Sequence, residues 1–183
     1  MVDVLELIGF LMKEHRLIEQ IVPVMQTELK HISYDREVHP LFIYDAVDFF
    51  RTYADRLHHG KEENILFAQL KDKELSSEHE RIMNELIEEH RYARRTVGNL
   101  VTATEKWSHG DKQALTRVAE CLNGLCELYP RHIENEDRNF FMPTLEYFTK
   151  SEREKILNEG RDFDRQFIHM TYKEKMDSLK KHE

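Results

Sequence analysis

The chain has 183 residues, enough for one domain with a substantial core, and 34% of them are charged. Asp and Glu outnumber Lys and Arg by 35 to 27, for a net charge of −8, so we expect no nucleic-acid partner, because phosphate backbones attract basic surfaces. No apolar run approaches the roughly 18 residues of a membrane span, and the N-terminus lacks a signal-peptide pattern. We therefore expect a cytoplasmic protein with no membrane partner.

Helical spacing of apolar residues dominates the chain, and the few Gly and Pro residues divide it into long stretches. The predicted helices are 3–32, 40–71, 77–107, one that opens after Gly110-Asp111 and ends before Pro143, and a shorter fifth. Pro23 should kink or divide the first helix. Ser77-to-Glu80 and Ser151-to-Glu154 have the spacing of a capping box, which predicts the starts of the third and fifth helices.

Four long helices joined by short connections are typical of an antiparallel up-down bundle. The predicted fold is therefore all-α, with a four-helix bundle over 1–148 and a short C-terminal helical extension over 149–183, either packed on the bundle or trailing from it. With only two cysteines, Cys121 and Cys126, a disulfide framework is excluded, and both thiols are interpreted as packing residues.

A duplicated pattern lies within these helices. His58 to Phe67 aligns with His132 to Phe141, and both segments read H-x-x-x-E-[ED]-x-x-x-F. Upstream, Glu14-His15-Arg16 matches Glu89-His90-Arg91. The first histidine precedes the second by 43 residues in one half and by 42 in the other, which indicates a repeated helical hairpin.

The repeated residues have the chemistry of metal ligands. A histidine and a glutamate four residues apart lie on one helix face and can approach the same ion. Burying four imidazoles and two carboxylates together would be costly without a cation. This mixture of nitrogen and oxygen ligands favours iron or manganese, with zinc as an alternative. The predicted ligands are His15, His58, Glu62, His90, His132 and Glu136.

This set, H…HxxxE…H…HxxxE, resembles the hemerythrin-like (HHE cation-binding) domain family over about residues 1–148. The resemblance implies a hemerythrin-like bundle with two non-haem iron ions joined by an oxo or hydroxo bridge. It further implies that His15 and His58 cap one iron, that His90 and His132 cap the other, and that Glu62 and Glu136 bridge them.

Two departures from the family's oxygen carriers limit this inference. The carriers have a further histidine four residues before the position of His90, where this chain has Leu86, and they use a longer His-to-Asp spacing where this chain has His132 and Glu136. Both irons would then keep an open position. The resemblance therefore favours a di-metal site more strongly than reversible oxygen carriage.

Several residues allow a second interpretation. His59 and Glu63 repeat the spacing of His58 and Glu62, but the helix face upstream of His58 is the more apolar one. We therefore assign His58 and Glu62 as ligands, with His59 and Glu63 orienting them, or Glu63 as an extra ligand. Tyr129 lies one turn before His132 and is a candidate hydrogen-bonding group. Glu28 and His31 form one Glu-x-x-His motif, but a ferritin-like site needs two. The remaining histidines are predicted to lie on the surface: His31, His39, His79, His109, His169 and His182.

Three classes of function follow from this site. The first is a di-iron protein that binds or senses O2, NO or iron, and the second is a di-iron enzyme that handles peroxide or another oxidant. The third is a structural bundle that holds zinc or no metal. The expected partners are small molecules such as O2, NO or peroxide, and the sequence identifies no protein partner.

Overall fold

The computed structural model describes the backbone of residues 4–180 and the side chains of residues 8–168, 170 and 171. This part of the chain is all α, with five long helical segments and no strand. We label the segments α1 (Val4–Asp35), α2 (40–70), α3 (Ser77–Ser108), α4 (114–147) and α5 (Lys150–Lys180). The all-helical prediction is confirmed. The first residue of the predicted helix 3–32, Asp3, lies outside the described residues.

Both prolines that were expected to interrupt helices lie inside them. Helix α1 continues through Pro23 without division. Helix α4 also continues past Pro143, so the prediction that it ends before this residue was wrong. Pro143 lies in the short α-helical stretch Phe141–Thr144, directly after the π-helical turn Glu136–Phe140.

Two helix starts differ from the predicted ones. The cap of α3 is Ser76 rather than Ser77, and its hydroxyl accepts a hydrogen bond from the backbone N–H of His79 at 3.2 Å. The capping box of α5 joins Thr149 and Glu152 rather than Ser151 and Glu154, with reciprocal bonds of 2.8 and 3.3 Å. Helix α5 is also long, at 31 residues, and does not end at Gly160.

Helices α2 and α4 contain π-helical turns, in which hydrogen bonds span five residues instead of four. In α2 they cover Phe50–His59 and Glu62–Leu66, between α-helical stretches at Pro40–Phe49 and Phe67–Leu70. In α4 the stretch Ala114–Asn135 is α-helical and Glu136–Phe140 is π-helical. These turns lie where the H-x-x-x-E motifs occur, and π-helical turns are frequent at functional sites.

The buried apolar residues form two clusters, and the motif residues lie between them. On α1, Leu11 belongs to one cluster and Ile18 to the other. On α3, Leu86 and Ala93 divide in the same way. The buried histidines of these helices fall between the two apolar layers, so the fold places a polar layer inside the bundle.

Packing joins α1 with α4, α2 with α3, and α3 with α4. Along α1 and α4 the paired positions run in opposite directions, since Arg16 pairs with Asp137 whereas the Cys126 thiol contacts the Val22 carbonyl oxygen. Helix α5 packs against α1 and against the Glu62–Leu66 turn of α2. None of the described helices has the length and apolarity that a membrane crossing requires.

Candidate metal centre

All six predicted ligands meet in the polar layer, and each is no more than 2% exposed: His15, His58, Glu62, His90, His132 and Glu136. Helix α1 supplies His15 and α3 supplies His90, while α2 and α4 each supply one His-x-x-x-Glu pair. The sequence repeat thus becomes a near-symmetric arrangement in space. Two hairpins contribute the same three side chains to one interior site.

The two glutamates lie between the histidines. Glu62 has one oxygen 3.2 Å from Nε2 of His58 and the other 3.4 Å from Nε2 of His90. Glu136 has one oxygen 3.1 Å from Nε2 of His15 and 3.3 Å from Nε2 of His132. Each carboxylate therefore reaches imidazoles of both halves of the chain, as a bridging ligand would.

None of these inward-facing atoms has a hydrogen-bond partner. The Nε2 atoms of the four histidines and all four carboxylate oxygens of Glu62 and Glu136 are buried and unpaired, although they lie within 3.1–4.0 Å of one another. Leaving eight such atoms unpaired would carry a large desolvation cost. A cation among them would compensate for that cost, so the residues present fit a metal site.

The outer nitrogen of each histidine is held by a carboxylate. Two of these bonds lie within one half of the chain. Glu14, next to His15, bonds His58 at 2.9 Å, and Glu89, next to His90, bonds His132 at 2.8 Å. Between the halves, Glu63 holds His90 at 2.8 Å and Asp137 holds His15 at 2.7 Å. Since Nδ1 is occupied in every case, each ring presents Nε2 to the centre, which is the usual arrangement around a bound metal.

The electrostatics of the centre also suit a cation. Burial and the nearby carboxylate of Glu62 raise the pKa of Glu136 well above its usual value. Burial lowers the pKa of His90 well below its usual value, and the neighbouring His59 and His132 lower it further. Both shifts favour the uncharged form of the side chain, which is the carboxylic acid of Glu136 and the neutral imidazole of His90. A bound metal ion would displace a proton from Glu136, and the neutral ring of His90 could coordinate the ion without losing one.

Comparison with known families agrees with this geometry. The sequence model of the hemerythrin HHE cation-binding domain matches residues 6–143. The chain belongs to this family. No curated protein and no solved structure matches the chain. Membership in a cation-binding family and the buried His/Glu clusters together establish a candidate cation site, and they leave the identity of the metal open.

At this centre the ligand-type residues form two groups. One contains His15, His58, Glu62 and Glu136, and the other contains His59, His90 and His132. In each group the potential ligand atoms lie within 4.8 Å of one another. The grouping keeps His15 with His58 and His90 with His132, as the family resemblance implies, but it adds His59 to the second group.

His59 is the residue that differs most from the sequence-based prediction. We expected it on the more polar face, yet it is only 2% exposed and its ring stacks on His90 with centroids 3.7 Å apart. Its Nδ1 lies 3.5 Å from the carboxylate of Asp55. The prediction assumed one buried face for α2, but a π-helical turn changes the helix register, and both His58 and His59 face the interior. Glu63, in contrast, orients His90 as predicted.

A cavity of about 260 Å³ lies against His59. Arg94, Val97 and Tyr129 line it, together with Asp55. Tyr129 is buried and its ring stacks on Phe50. Among the described residues, its hydroxyl group makes no hydrogen bond to the six candidate ligands. Burial raises the pKa of the Tyr129 hydroxyl group, which keeps the phenol protonated.

One buried cation links the centre to α5. Lys61 is 1% exposed, and its ammonium group contacts both Glu14, which holds His58, and Asp164 on α5 at 2.7 Å. Of the outer carboxylates, only Glu63 was recognised in the sequence as orienting a ligand; Glu14, Glu89, Asp137 and Lys61 were not. The available signal was that Glu14, Glu63, Glu89 and Asp137 each adjoin a predicted ligand in both copies of the repeat.

The structure also locates the residues that the sequence analysis placed outside the metal centre. Leu86 is fully buried in an apolar cluster, and Cys121 and Cys126 are buried packing residues, with the pKa of the Cys126 thiol raised to about 11 by burial. His109 is exposed, whereas His31 is only partly exposed and lies against His39. The side chains of His169 and His182 lie outside the described residues.

Proposed function

We propose that the chain is a non-haem di-iron protein that binds or senses O2, NO or iron. The observation that carries this proposal is the set of eight buried and unpaired ligand atoms from four histidines and two glutamates. The scaffold we propose for it is an antiparallel up-down bundle of α1–α4 over residues 1–148, with residues 149–183 as an extension.

In this proposal each half of the chain caps one metal ion. His15 and His58 would hold the first ion, and His90 and His132 the second. Glu62 supports a bridging role because its two oxygens approach His58 and His90, which belong to different ions. Glu136 supports the same role, since its oxygens approach His15, His132 and His90.

Iron suits the donor set better than zinc does. The site combines imidazoles with carboxylates and has no thiolate, which is typical of iron and manganese, whereas zinc remains an alternative for such ligands. A pair of iron ions would supply affinity for small oxidants and for NO. Leu86 cannot coordinate, so the second ion would lack the extra histidine of the oxygen carriers, which favours sensing or reaction over reversible carriage.

A peroxide-handling enzyme is the second candidate, and the cavity beside His59 favours it. Arg94 and Tyr129 place polar groups on its wall, and its volume is below that of a typical pocket for a drug-sized ligand, which suits a small molecule such as peroxide. Ion pairs from Arg94 to Asp55 and Glu63, both at 2.7 Å, fix the outer side of this cavity.

The deciding experiment is anaerobic iron loading followed by metal analysis and absorption spectroscopy. We expect about two irons per chain and, after exposure to air, a near-ultraviolet band from a bridged ferric pair. His58→Ala should reduce the iron content, while His109→Ala, which changes an exposed histidine, should not. A folded protein that binds one iron or none would overturn the proposal. Rapid peroxide consumption that His58→Ala abolishes would favour the enzyme over the sensor.

A further inference from the structure

The connection between α1 and α2 brings together a second set of ligand-type side chains. Glu28 and His31 lie one turn apart on α1, and His39 immediately precedes α2. Each offers one potential ligand atom, and these atoms lie within 4.8 Å of one another. We call Glu28, His31 and His39 the turn cluster. Glu28 is 13 residues from His15 along α1, or about 20 Å at the rise of an α-helix, so the cluster is separate from the di-metal centre.

The turn cluster is a preorganised site rather than a chance grouping of surface residues. Glu28 is a carboxylate with only 5% exposure. One of its oxygens accepts a hydrogen bond from the backbone N–H of His39, and the other lies 2.8 Å from the ring Nδ1 of His39, also at hydrogen-bond distance. The rings of His31 and His39 lie 3.9 Å apart. Two imidazoles and a carboxylate are thus held in contact by packing and by the backbone.

His31 has the hydrogen-bonding pattern of a metal-binding histidine. Its Nδ1 is buried and has no hydrogen-bond partner, and its Nε2 lies 3.2 Å from the carboxylate of Asp35. Ligating histidines usually donate the second ring N–H to a carboxylate, which fixes the tautomer and leaves the other nitrogen free to coordinate. Asp35 has this position beside His31, which leaves the buried Nδ1 without a partner and free to coordinate.

We propose that the turn cluster binds one divalent transition-metal ion of the zinc class. Two imidazoles and one carboxylate are a common ligand set for zinc, and a water molecule would complete the four-coordinate site. Glu28 would coordinate through the oxygen that now bonds the His39 ring, and the metal would displace the proton of that hydrogen bond. His39 is 57% exposed, and an open cavity of about 450 Å³ adjoins all three side chains, so solvent reaches the cluster. The Glu-x-x-His motif of α1 thereby gains a role that the di-metal centre does not give it.

Metal at this site would connect the end of α1 to the start of α2. The connection between these helices passes through Arg36, which has a positive φ of 59°, a conformation that is unfavourable for a non-glycine residue. A ligand that binds only the folded state stabilises that state by mass action. This inference does not depend on iron at the centre, and either proposal can fail without the other.

The test is a zinc titration of the iron-loaded chain, with free zinc reported by a chromophoric chelator and iron content measured throughout. We expect one zinc ion per chain to bind while the iron content remains constant. His31→Gln and His39→Gln should each abolish this stoichiometric binding. Asp35→Asn, which affects only the orientation of His31, should weaken it by on the order of ten-fold.

The matched control is His109→Gln, which removes an exposed histidine far along the sequence from the turn cluster and should bind zinc as the unmodified chain does. Cobalt provides a second readout, because a four-coordinate site gives visible bands that should disappear in His39→Gln. The proposal is overturned if no zinc binds, if zinc binds only as iron is released, or if His31→Gln and His39→Gln bind zinc as tightly as His109→Gln does.

Discussion

The two halves of the molecule carry the same ligands but differ beside them. In the first half, Asp55 and His59 lie next to His58, and in the second half the equivalent positions are Tyr129 and Ile133 next to His132. His59 and Ile133 are equally buried, at 2% exposure. The helix of the first half is π-helical over this stretch, whereas that of the second half is α-helical until Asn135.

This comparison shows which features of the repeat concern metal binding and which concern its surroundings. Each half has three of the six ligands and two of the four outer carboxylates, so these features follow the repeat. The halves diverge at the position of His59 and Ile133, where one half places a polar ring against His90 and the other fills the space with an apolar side chain. We therefore expect symmetric effects from the glutamates and asymmetric effects from His59.

The largest expected effect comes from the two shared carboxylates. Glu62→Ala and Glu136→Ala should each remove or weaken both metal ions, because each side chain reaches histidines of both halves. Iron content per chain after anaerobic loading measures the effect. Glu134→Ala, which changes an exposed residue one half-turn from Glu136, should retain both ions. Loss of a single ion in the glutamate variants would exclude the bridging role.

Two of the outer carboxylates, Glu63 and Asp137, provide the next test, since they bond histidines of the opposite half. Glu63→Gln should weaken the metal held by His90, in the second half, and Asp137→Asn should weaken the metal held by His15, in the first half. The expected loss of affinity is about 10–100-fold for the affected ion. Competition with a chelator, combined with a spectroscopy that resolves the two irons, measures it. Glu88→Gln serves as an exposed control.

Equal weakening of both ions by Glu63→Gln and Asp137→Asn would contradict the crossed arrangement. The same result with Glu88→Gln would indicate a general effect of surface charge.

A smaller and one-sided effect is expected from His59→Ile, which gives the first half the residue of the second. The ring of His59 packs on His90 and belongs to the group with His90 and His132. Its removal should loosen the ion on that side and leave the ion near His15 unchanged. Iron content at limiting iron supply tests this. The control variant is Ile133→Val, a small apolar change at the equivalent position of the second half, which should affect neither ion.

Particular residues show how far the sequence alone could lead. The six candidate ligands were predictable because a spacing of four residues on helices, repeated in two halves, leaves few other arrangements. The start of α5 was not, since Thr149 and Ser151 both suit a capping box and the choice depends on backbone geometry.

The burial of His59 was not predictable either, because the sequence showed no signal for a π-helical turn and helix periodicity assumes a constant 3.6 residues per turn. The pairing of Glu63 with His90 and of Asp137 with His15 joins residues of opposite halves, so it appears only in the folded arrangement.

The smallest expected effect concerns Glu152 of α5, which pairs with Lys73 in the turn between α2 and α3. Glu152 accepts hydrogen bonds from Thr149, and its other oxygen lies 2.6 Å from the ammonium group of Lys73. These contacts, with Lys73 the largest contributor, lower the pKa of Glu152 to about 2. Because the pKa is lower in the folded state than in the unfolded state, the stabilisation is complete above the unfolded value and is lost as the pH falls through the folded one.

Glu152→Gln should therefore unfold at a slightly lower urea concentration than the unmodified chain at pH 6, and this difference should shrink as the pH falls below about 4.5. Release of metal in acid affects both proteins alike and cancels in the comparison. Glu154→Gln, which changes a neighbouring carboxylate 3.8 Å from Lys150, should show little difference at either pH. A difference that grew towards low pH would mean that Glu152 is protonated more readily in the folded chain, against the direction its contacts imply.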